Sequence, residues 1–339
     1  MPAPLRIAYL MEDTDLSGGV RVQLAQADAL IARGHEVTIF TKGLPLTWRS
    51  SEADWEYVDD FRAPSYDGFD FVIATFWTTV APAYERAGAR ALHLCQGLEF
   101  TFTAYQPIRA EIEAAYRLPV PKLVVSPHLE AWLAPFGQEV FVVGQIVDEE
   151  FYRSGPALRH EPPRVLLAGA SQIDFKGIDV GYDAALHARA MGGEFDLVRV
   201  SPWAPAADEP KESAAEFHIG LDARAMARLV HSCEIFLGPS RKEEGFGLPA
   251  AEALAAGAAA VLSRIPSFES FDPERRDYAL WADENDGIAM GDELVRLLDD
   301  EELRLRLGMR GRETVEKYRG IHIAGRIEAY LLDRRSRLE

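Results

Sequence analysis

A chain of 339 residues with a net charge of −18 is longer than one ordinary hydrophobic core and suited to two. Its composition, 48% apolar and 27% charged with no low-complexity tract, excludes disorder as the default state. Both halves are acidic, which excludes nucleic acid and anionic lipid as general partners and requires any anionic ligand to be held by a local device.

Along the chain, short apolar and often β-branched runs alternate with helical patterns, the signature of parallel sheets wrapped by helices. Strands are predicted at 5–11, 36–41, 70–76, 91–95, 122–126 and 140–144, with a helix over 20–33 that ends in the turn Gly34-His35. The cluster Gly155, Pro156, Pro162 and Pro163 marks a linker. A second alternation follows, with strands at 164–168, 197–200, 235–238 and 259–263 and helices over 178–191, 223–231 and 248–256. From Asp286 the pattern is helical and charged, and a last helix over 321–332 is expected to return to the first domain. The expected organisation is therefore a Rossmann-like domain over 1–155, a second over 156–318, and a returning C-terminal segment over 319–339. Open parallel sheets bind ligands at the carboxyl ends of their strands, so two such domains facing a cleft are expected to share a site.

Cys95 and Cys233 stand in apolar runs of separate halves, as expected of reduced, buried thiols in a cytoplasmic protein. The N-terminus shows no charged leader followed by a long apolar segment, and the longest apolar stretch, 253–262, is too short to span a bilayer. No strong membrane association is expected. Arg334, Arg335 and Arg337 are cations at a helix end, where the dipole favours them.

The run from Pro239 to Glu252 carries the most chemistry. It reads as the end of a strand, a turn, a glycine-rich loop and a helix start. Pro249 suits the first helical position, and Gly245 and Gly247 let the backbone approach a ligand without intervening side chains. The amides of Gly245, Phe246, Gly247 and Leu248 then form a phosphate site. Glu252, expected in the first helical turn, is also favoured there by the helix dipole alone. With Glu244 on the other side of the glycines, two carboxylates flank the loop. Carboxylates repel phosphate, so here they suit the hydroxyls of a sugar and a ribose.

These two glutamates, within P-S-x-x-x-E-G-F-G-L-P-x-x-E-A-x-A-x-G, resemble the donor-binding signature of retaining GT-B glycosyltransferases of the family-four type (glycosyl transferases group 1). The resemblance covers most of the chain. Ser17-Gly18-Gly19-Val20 and the segment from Ala32 to Thr38 are similar to the family's first strand-loop-helix-strand unit, where Gly18 and Gly19 would lie near the donor. Phe175-Lys176-Gly177 matches the family's lysine that contacts the diphosphate, which makes Lys176 the main electrostatic catalyst.

Two positions depart from the family pattern. Gly169 is followed by Ala170 and Ser171 where an arginine is common, so either Arg241 or Lys242 supplies the second cation from the other loop or stabilisation of the leaving group is weaker here. Cys95 is followed by Gln96-Gly97-Leu98-Glu99 where many relatives carry a histidine. With Ala74 to Thr78 upstream, this is similar to the rhamnosyltransferase branch. Gln96 can hydrogen-bond a sugar hydroxyl but serves as neither acid nor base.

The resemblance implies a hexosyl- or deoxyhexosyltransferase that moves a sugar from a nucleoside-diphosphate sugar to an acceptor hydroxyl with retention, without a metal or other cofactor, in polysaccharide or glycoconjugate synthesis. Its acceptor would be a carbohydrate, a lipid-linked molecule or a small molecule. Lys176 and Glu244 would be catalytic, and Gly18, Gly19, Gln96, Arg241, Gly245, Phe246, Gly247, Leu248 and Glu252 donor-binding. The missing arginine keeps open a nucleotide-sugar-binding subunit without transfer activity, and the scaffold keeps open a sugar-nucleotide epimerase. Asp13-Thr14-Asp15 formally matches a metal-binding Asp-x-Asp but reads as loop polarity, and the histidines show no zinc spacing. His128 reads as helix-start polarity, and no phosphate-loop Gly-Lys-Ser/Thr is present.

Overall fold

A computed structural model describes residues 3–152 and 159–339. It divides into two compact units, one running to Ile146 and resuming over Tyr318–Glu339, the other Val147–Lys317. The boundary expected at 155/156 lies outside the described residues.

The first unit holds a sheet of β1 (Arg6–Met11), β2 (Glu36–Thr41), β3 (Asp54–Tyr57), β4 (Phe71–Ala74), β5 (Ala91–Cys95), β6 (Lys122–Val124) and β7 (Val140–Val142). Its order is β3-β2-β1-β4-β5-β6-β7, and every pairing is parallel. The helices α1 (Gly18–Ile31), α2 (Trp77–Ala87), α3 (Arg109–Tyr116) and α4 (His128–Leu133) connect its strands. Every residue of β4 and β5 is buried, as expected of strands covered on both faces. Ala8, Leu10, Val72 and Ala74 share one sheet face and pack with Val80, Ala83 and Ala87 of α2.

The strand predicted to run to Phe76 stops at Ala74. The reason is local: the amides of Thr75 and Phe76 donate to Thr79 Oγ1 at 3.1 and 3.2 Å, turning the chain into α2. That side chain satisfies donors the ladder would otherwise have used.

The second unit repeats the plan with β8 (Arg164–Ala168), β9 (Asp196–Ser201), β10 (Glu216–Ile219), β11 (Ile235–Gly238), β12 (Ala259–Ser263) and β13 (Leu280–Ala282). Their order is β10-β9-β8-β11-β12-β13, again wholly parallel. Its helices are α5 (Ile178–Ala190), α6 (Ala223–His231), α7 (Leu248–Ala256), α8 (Pro266–Glu269), α9 (Gly287–Asp299) and α10 (Glu301–Val315). Val165, Leu167, Ile235, Leu237, Ala259 and Val261 alternate along their strands and so share a face, which packs on Ile178, Tyr182 and Ala185 of α5 and Met290 and Leu294 of α9.

The last helix, α11 (Gly320–Leu338), belongs to the first unit and packs on α1. It buries Ile323, Ala324, Ile327, Tyr330 and Leu331. Arg33 Nε donates to Glu328 Oε2 at 2.9 Å, and the ring of Tyr330 stacks on Phe141 with centroids 4.6 Å apart. The amide of Leu5 donates to His35 Nδ1 at 3.1 Å, so the ring presents its Nε2 hydrogen to Glu328 Oε1, 3.0 Å away. The Arg33-Gly34-His35 turn thus ties β1 and α11 together.

Candidate functional site

In each sheet the strand order reverses at one central pair: β1 beside β4 in the first unit, and β8 beside β11 in the second. Loops leaving the carboxyl ends of such a pair diverge and open a crevice. In the second unit those loops are the ones that carry Lys176 and Glu244.

After β8 the chain makes a short turn at Asp174–Lys176 and enters α5 through Gly177. Gly177 has φ +59°, and a Cβ placed on it would lie 2.1 Å from the carbonyl oxygen of Pro239. Only glycine fits both the backbone and the contact. The amide of Arg241 also donates to the carbonyl of Phe175 at 2.7 Å. The two loops are therefore locked main chain to main chain.

This docking brings Lys176 Nζ to 2.6 Å from Glu244 Oε2, with the lysine and glutamate side chains 18% and 8% exposed. Ser240 Oγ donates to the same carboxylate oxygen at 3.1 Å. One ammonium N–H is spent on Glu244, which leaves two donors for another anion. An ion pair this sheltered is costly to break from one side, since the remaining charge stays desolvated.

Arg241, expected to point at an anionic ligand, turns inward. Its Nη2 lies 2.8 Å from Asp179 Oδ2 and its Nε donates to Asn285 Oδ1 at 2.7 Å, while Nη1 donates to the carbonyl of Asp174. Asn285 is the one non-glycine residue with positive φ among the described residues, at +65°, a conformation asparagine tolerates better than most. Ala170, at the position where an arginine is common in the family, is buried. Of the cations weighed from the sequence, Lys176 is the one the structure joins to Glu244.

Beyond the pair, Gly247 caps α7 with φ +86°, and an added Cβ would meet Phe268 at 2.3 Å. Leu248 opens the helix, so Pro249 takes the second helical position instead of the first, still among the amides that have no intrahelical partner. Glu252 falls in the second turn and is 1% exposed. The favourable helix-start placement expected for it therefore does not explain its presence. Gly245, Phe246 and Gly247 link Glu244 to Leu248 at the start of α7, with Phe246 itself buried against Phe271 at 5.2 Å.

The first unit places Gly18 and Gly19 at the first two positions of α1, behind the cap Ser17, whose hydroxyl accepts the amide of Val20 at 3.2 Å. A Cβ on Gly18 would meet nothing within 4 Å, and one on Gly19 would make an ordinary contact with Gln96 Nε2 at 3.6 Å. Neither turn geometry nor packing inside the unit asks for glycine there. Gln96 follows β5, so these three residues gather at the carboxyl edge of the first sheet, and Gln96 Oε1 is buried with no hydrogen-bond partner.

Glu99, in the same loop after β5, belongs to a buried pair to which the sequence assigned no role. The Tyr116 hydroxyl donates to the carboxylate of Glu99, and burial raises the Glu99 carboxyl to about 7. Ser240, Asp174, Asp179 and Asn285 were likewise unassigned. Ser240 lies inside the motif, and Asp174 and Asp179 flank Lys176 in the chain, but all three of Asp174, Asp179 and Asn285 meet Arg241 only through long-range contacts.

Asp13 Oδ1 accepts the amide of Asp15 at 3.1 Å, a turn contact in keeping with loop polarity. His128 begins α4 and contacts Ser126 Oγ at 2.8 Å. Among the described residues no group of three or more His, Cys, Asp or Glu is placed to hold a metal ion, and no helix is long and apolar enough to cross a membrane. Cys95 and Cys233 are free and buried, one in each unit.

Comparison with solved structures matches this architecture over nearly its full length. Sucrose-phosphate synthase from Thermosynechococcus elongatus is 18% identical, with a TM-score of 0.73 over 97% of this chain and 98% of that one. HepE from Anabaena, in complex with UDP-glucose, is 12% identical, with a TM-score of 0.76 over 97% and 100%. A glycosyltransferase from Rickettsia africae is 15% identical, with a TM-score of 0.72 over 99% of both chains. The chain has the GT-B fold. Residues 206–314 also match the model of the family described as glycosyl transferases group 1, a segment that contains Glu244, Glu252 and α7 of this GT-B chain. No curated protein sequence matches it.

Proposed function

We propose that this GT-B chain is a glycosyltransferase that moves a sugar from a nucleoside-diphosphate sugar to an acceptor hydroxyl with retention of configuration, in the synthesis of a polysaccharide or glycoconjugate. The observation that carries the reading is the Lys176–Glu244 pair, held at the switch point of the second sheet beside the glycine loop that opens α7.

The chemistry follows from charge. Breaking the bond between the anomeric carbon and the diphosphate oxygen puts negative charge on the leaving group. Lys176, with two N–H donors beyond the one used by Glu244, stabilises that charge more in the transition state than in the ground state. The amides from Gly245 to Leu248 add fixed dipoles. Glu244 accepts a hydroxyl of the sugar, Glu252 a hydroxyl of the ribose, and Gly18, Gly19 and Gln96 are further donor-binding positions. The acceptor oxygen bonds to the anomeric carbon on the face the diphosphate leaves, and its proton passes to the departing phosphate oxygen. Orientation and electrostatics then do the catalytic work, without a protein nucleophile or a metal.

HepE has been solved with UDP and with UDP-glucose, which places uridine first among donors to test. The two reduced, buried cysteines fit a cytoplasmic enzyme. The second reading, a nucleotide-sugar-binding subunit, is favoured by one observation: Ala170 and the inward turn of Arg241 leave Lys176 as the cation assigned to the diphosphate. Calorimetry with UDP-, GDP- and dTDP-sugars, followed by a donor-hydrolysis assay, separates the readings. Binding with turnover to free sugar of unchanged anomeric configuration is expected. Binding without turnover would sink the transferase and leave the subunit, and an isomerised nucleotide sugar would indicate an epimerase.

A further inference from the structure

We propose that Arg241 is a positioning residue that sets Lys176 against Glu244, and not a direct ligand of the donor phosphates. The inference rests on the glycosyltransferase reading for its kinetic consequence and on geometry for its cause. Arg241 belongs to the loop of Glu244. Its guanidinium nonetheless reaches the carbonyl of Asp174 and, at 3.3 Å, the carboxylate of Asp174 in the turn that carries Lys176. It grips Asp179 in the first turn of α5 through both carboxylate oxygens, at 3.1 and 2.8 Å, and Asn285 in the loop before α9 at 2.7 Å. Three loops at the carboxyl edge of the sheet converge on one planar group. Its fork of five N–H donors suits this, and a lysine ammonium could not reproduce it. Arg241 is itself sheltered, with 16% of its side chain exposed, whereas its carboxylate partners Asp174 and Asp179 are 72% and 68% exposed. The guanidinium is engaged by its neighbours on every nitrogen, an arrangement for holding them.

The sign of the Asp179 effect decides between the two roles. If Arg241 bound the diphosphate directly, removing a carboxylate that competes for it would free the cation and tighten the donor. If Arg241 acts by positioning, the same change loosens the turn of Lys176 and slows transfer. The full-length Arg241→Lys, Asp179→Asn and double variants are to be compared with wild type on whichever UDP-, GDP- or dTDP-sugar wild type hydrolyses fastest. Melting temperatures serve as the folding control. Both single variants are expected to lose about tenfold to a hundredfold in kcat with donor KM within about threefold, and the double variant to be no worse than the worse single one. Hydrogen exchange of the peptide spanning 172–178 is expected to quicken in both singles. Near-wild-type kcat in Arg241→Lys together with a lowered KM in Asp179→Asn would overturn the inference, as would unchanged exchange in both. A wild type that neither binds nor hydrolyses any of the donors would instead defeat the glycosyltransferase reading, and the exchange result would still decide whether Arg241 holds the turn.

Discussion

Lys176 Nζ and Glu244 Oε2 lie 2.6 Å apart although 68 residues separate them in the chain. The pair exists because the loops after β8 and β11 lean on each other at Gly177 and Pro239. Replacing Lys176 by alanine removes the cation assigned to the leaving group and strands Glu244 in a sheltered site. A fall in kcat of about a hundredfold to a thousandfold is expected in a single-turnover donor-cleavage assay, with a smaller change in nucleotide affinity. Equal losses in kcat/KM and in nucleotide affinity would show uniform binding instead.

Gly177→Ala tests the docking itself. The new methyl would collide with a carbonyl oxygen, not with a flexible side chain, and φ of +59° adds strain. A loss of about 2–3 kcal/mol in unfolding free energy is expected from denaturant titration, with activity lowered in the fraction that remains folded.

Gly18→Ala and Gly19→Ala behave in the opposite way. Both positions have helical geometry and room for a methyl group, so stability should stay level or rise by up to about 1 kcal/mol. Donor affinity should fall about tenfold, because the glycines are then retained for close approach of a ligand. Melting curves and calorimetry on the same samples check both halves, and unaltered donor binding would return these residues to an ordinary helix start.

Glu99 gives a pH dependence of stability. Burial raises its carboxyl from 4.5 to about 7 in the folded chain, opposed by the hydrogen bond from Tyr116, so the folded state holds a proton that the unfolded state releases between those values. Its contribution is fully present below about pH 4.5 and is lost as pH rises through about 7, a change on the order of 3 kcal/mol. Nearby, burial pushes the Cys95 thiol well above its ordinary range, so it stays neutral across this window. Urea midpoints measured from pH 5 to pH 8 should decline in wild type and flatten in Glu99→Gln.

Chelation separates this mechanism from metal-assisted transfer. With Lys176 and loop amides balancing the leaving group, EDTA should leave initial transfer rates unchanged, and recovery of a lost rate by added divalent cation would contradict it.

Central strands were legible in the sequence because burial on both faces turns them into unbroken apolar runs, as in β4 with Phe71-Val72-Ile73-Ala74. The strands β3 and β10 escaped for the converse reason. Each lies at a sheet edge, and Asp54-Trp55-Glu56-Tyr57 and Glu216-Phe217-His218-Ile219 are partly or fully exposed, with no apolar run to mark them. The site divides in the same manner. Glu244, the glycines and α7 form one continuous segment whose spacing can be read directly. The inward turn of Arg241 depends on Asp179, 62 residues before it, and Asn285, 44 residues after it, and no local pattern encodes that meeting.

The second unit interrupts the first along the chain. During synthesis, β1 to β7 emerge early, yet α11, which covers α1 and joins Glu328 to Arg33 and His35, is made only after the whole of Val147–Lys317. The early sheet must therefore wait with that side of α1 uncovered while an entire second body is translated and closes its own core. Maturation order is thus reversed relative to chain order: the domain begun first is the one finished last.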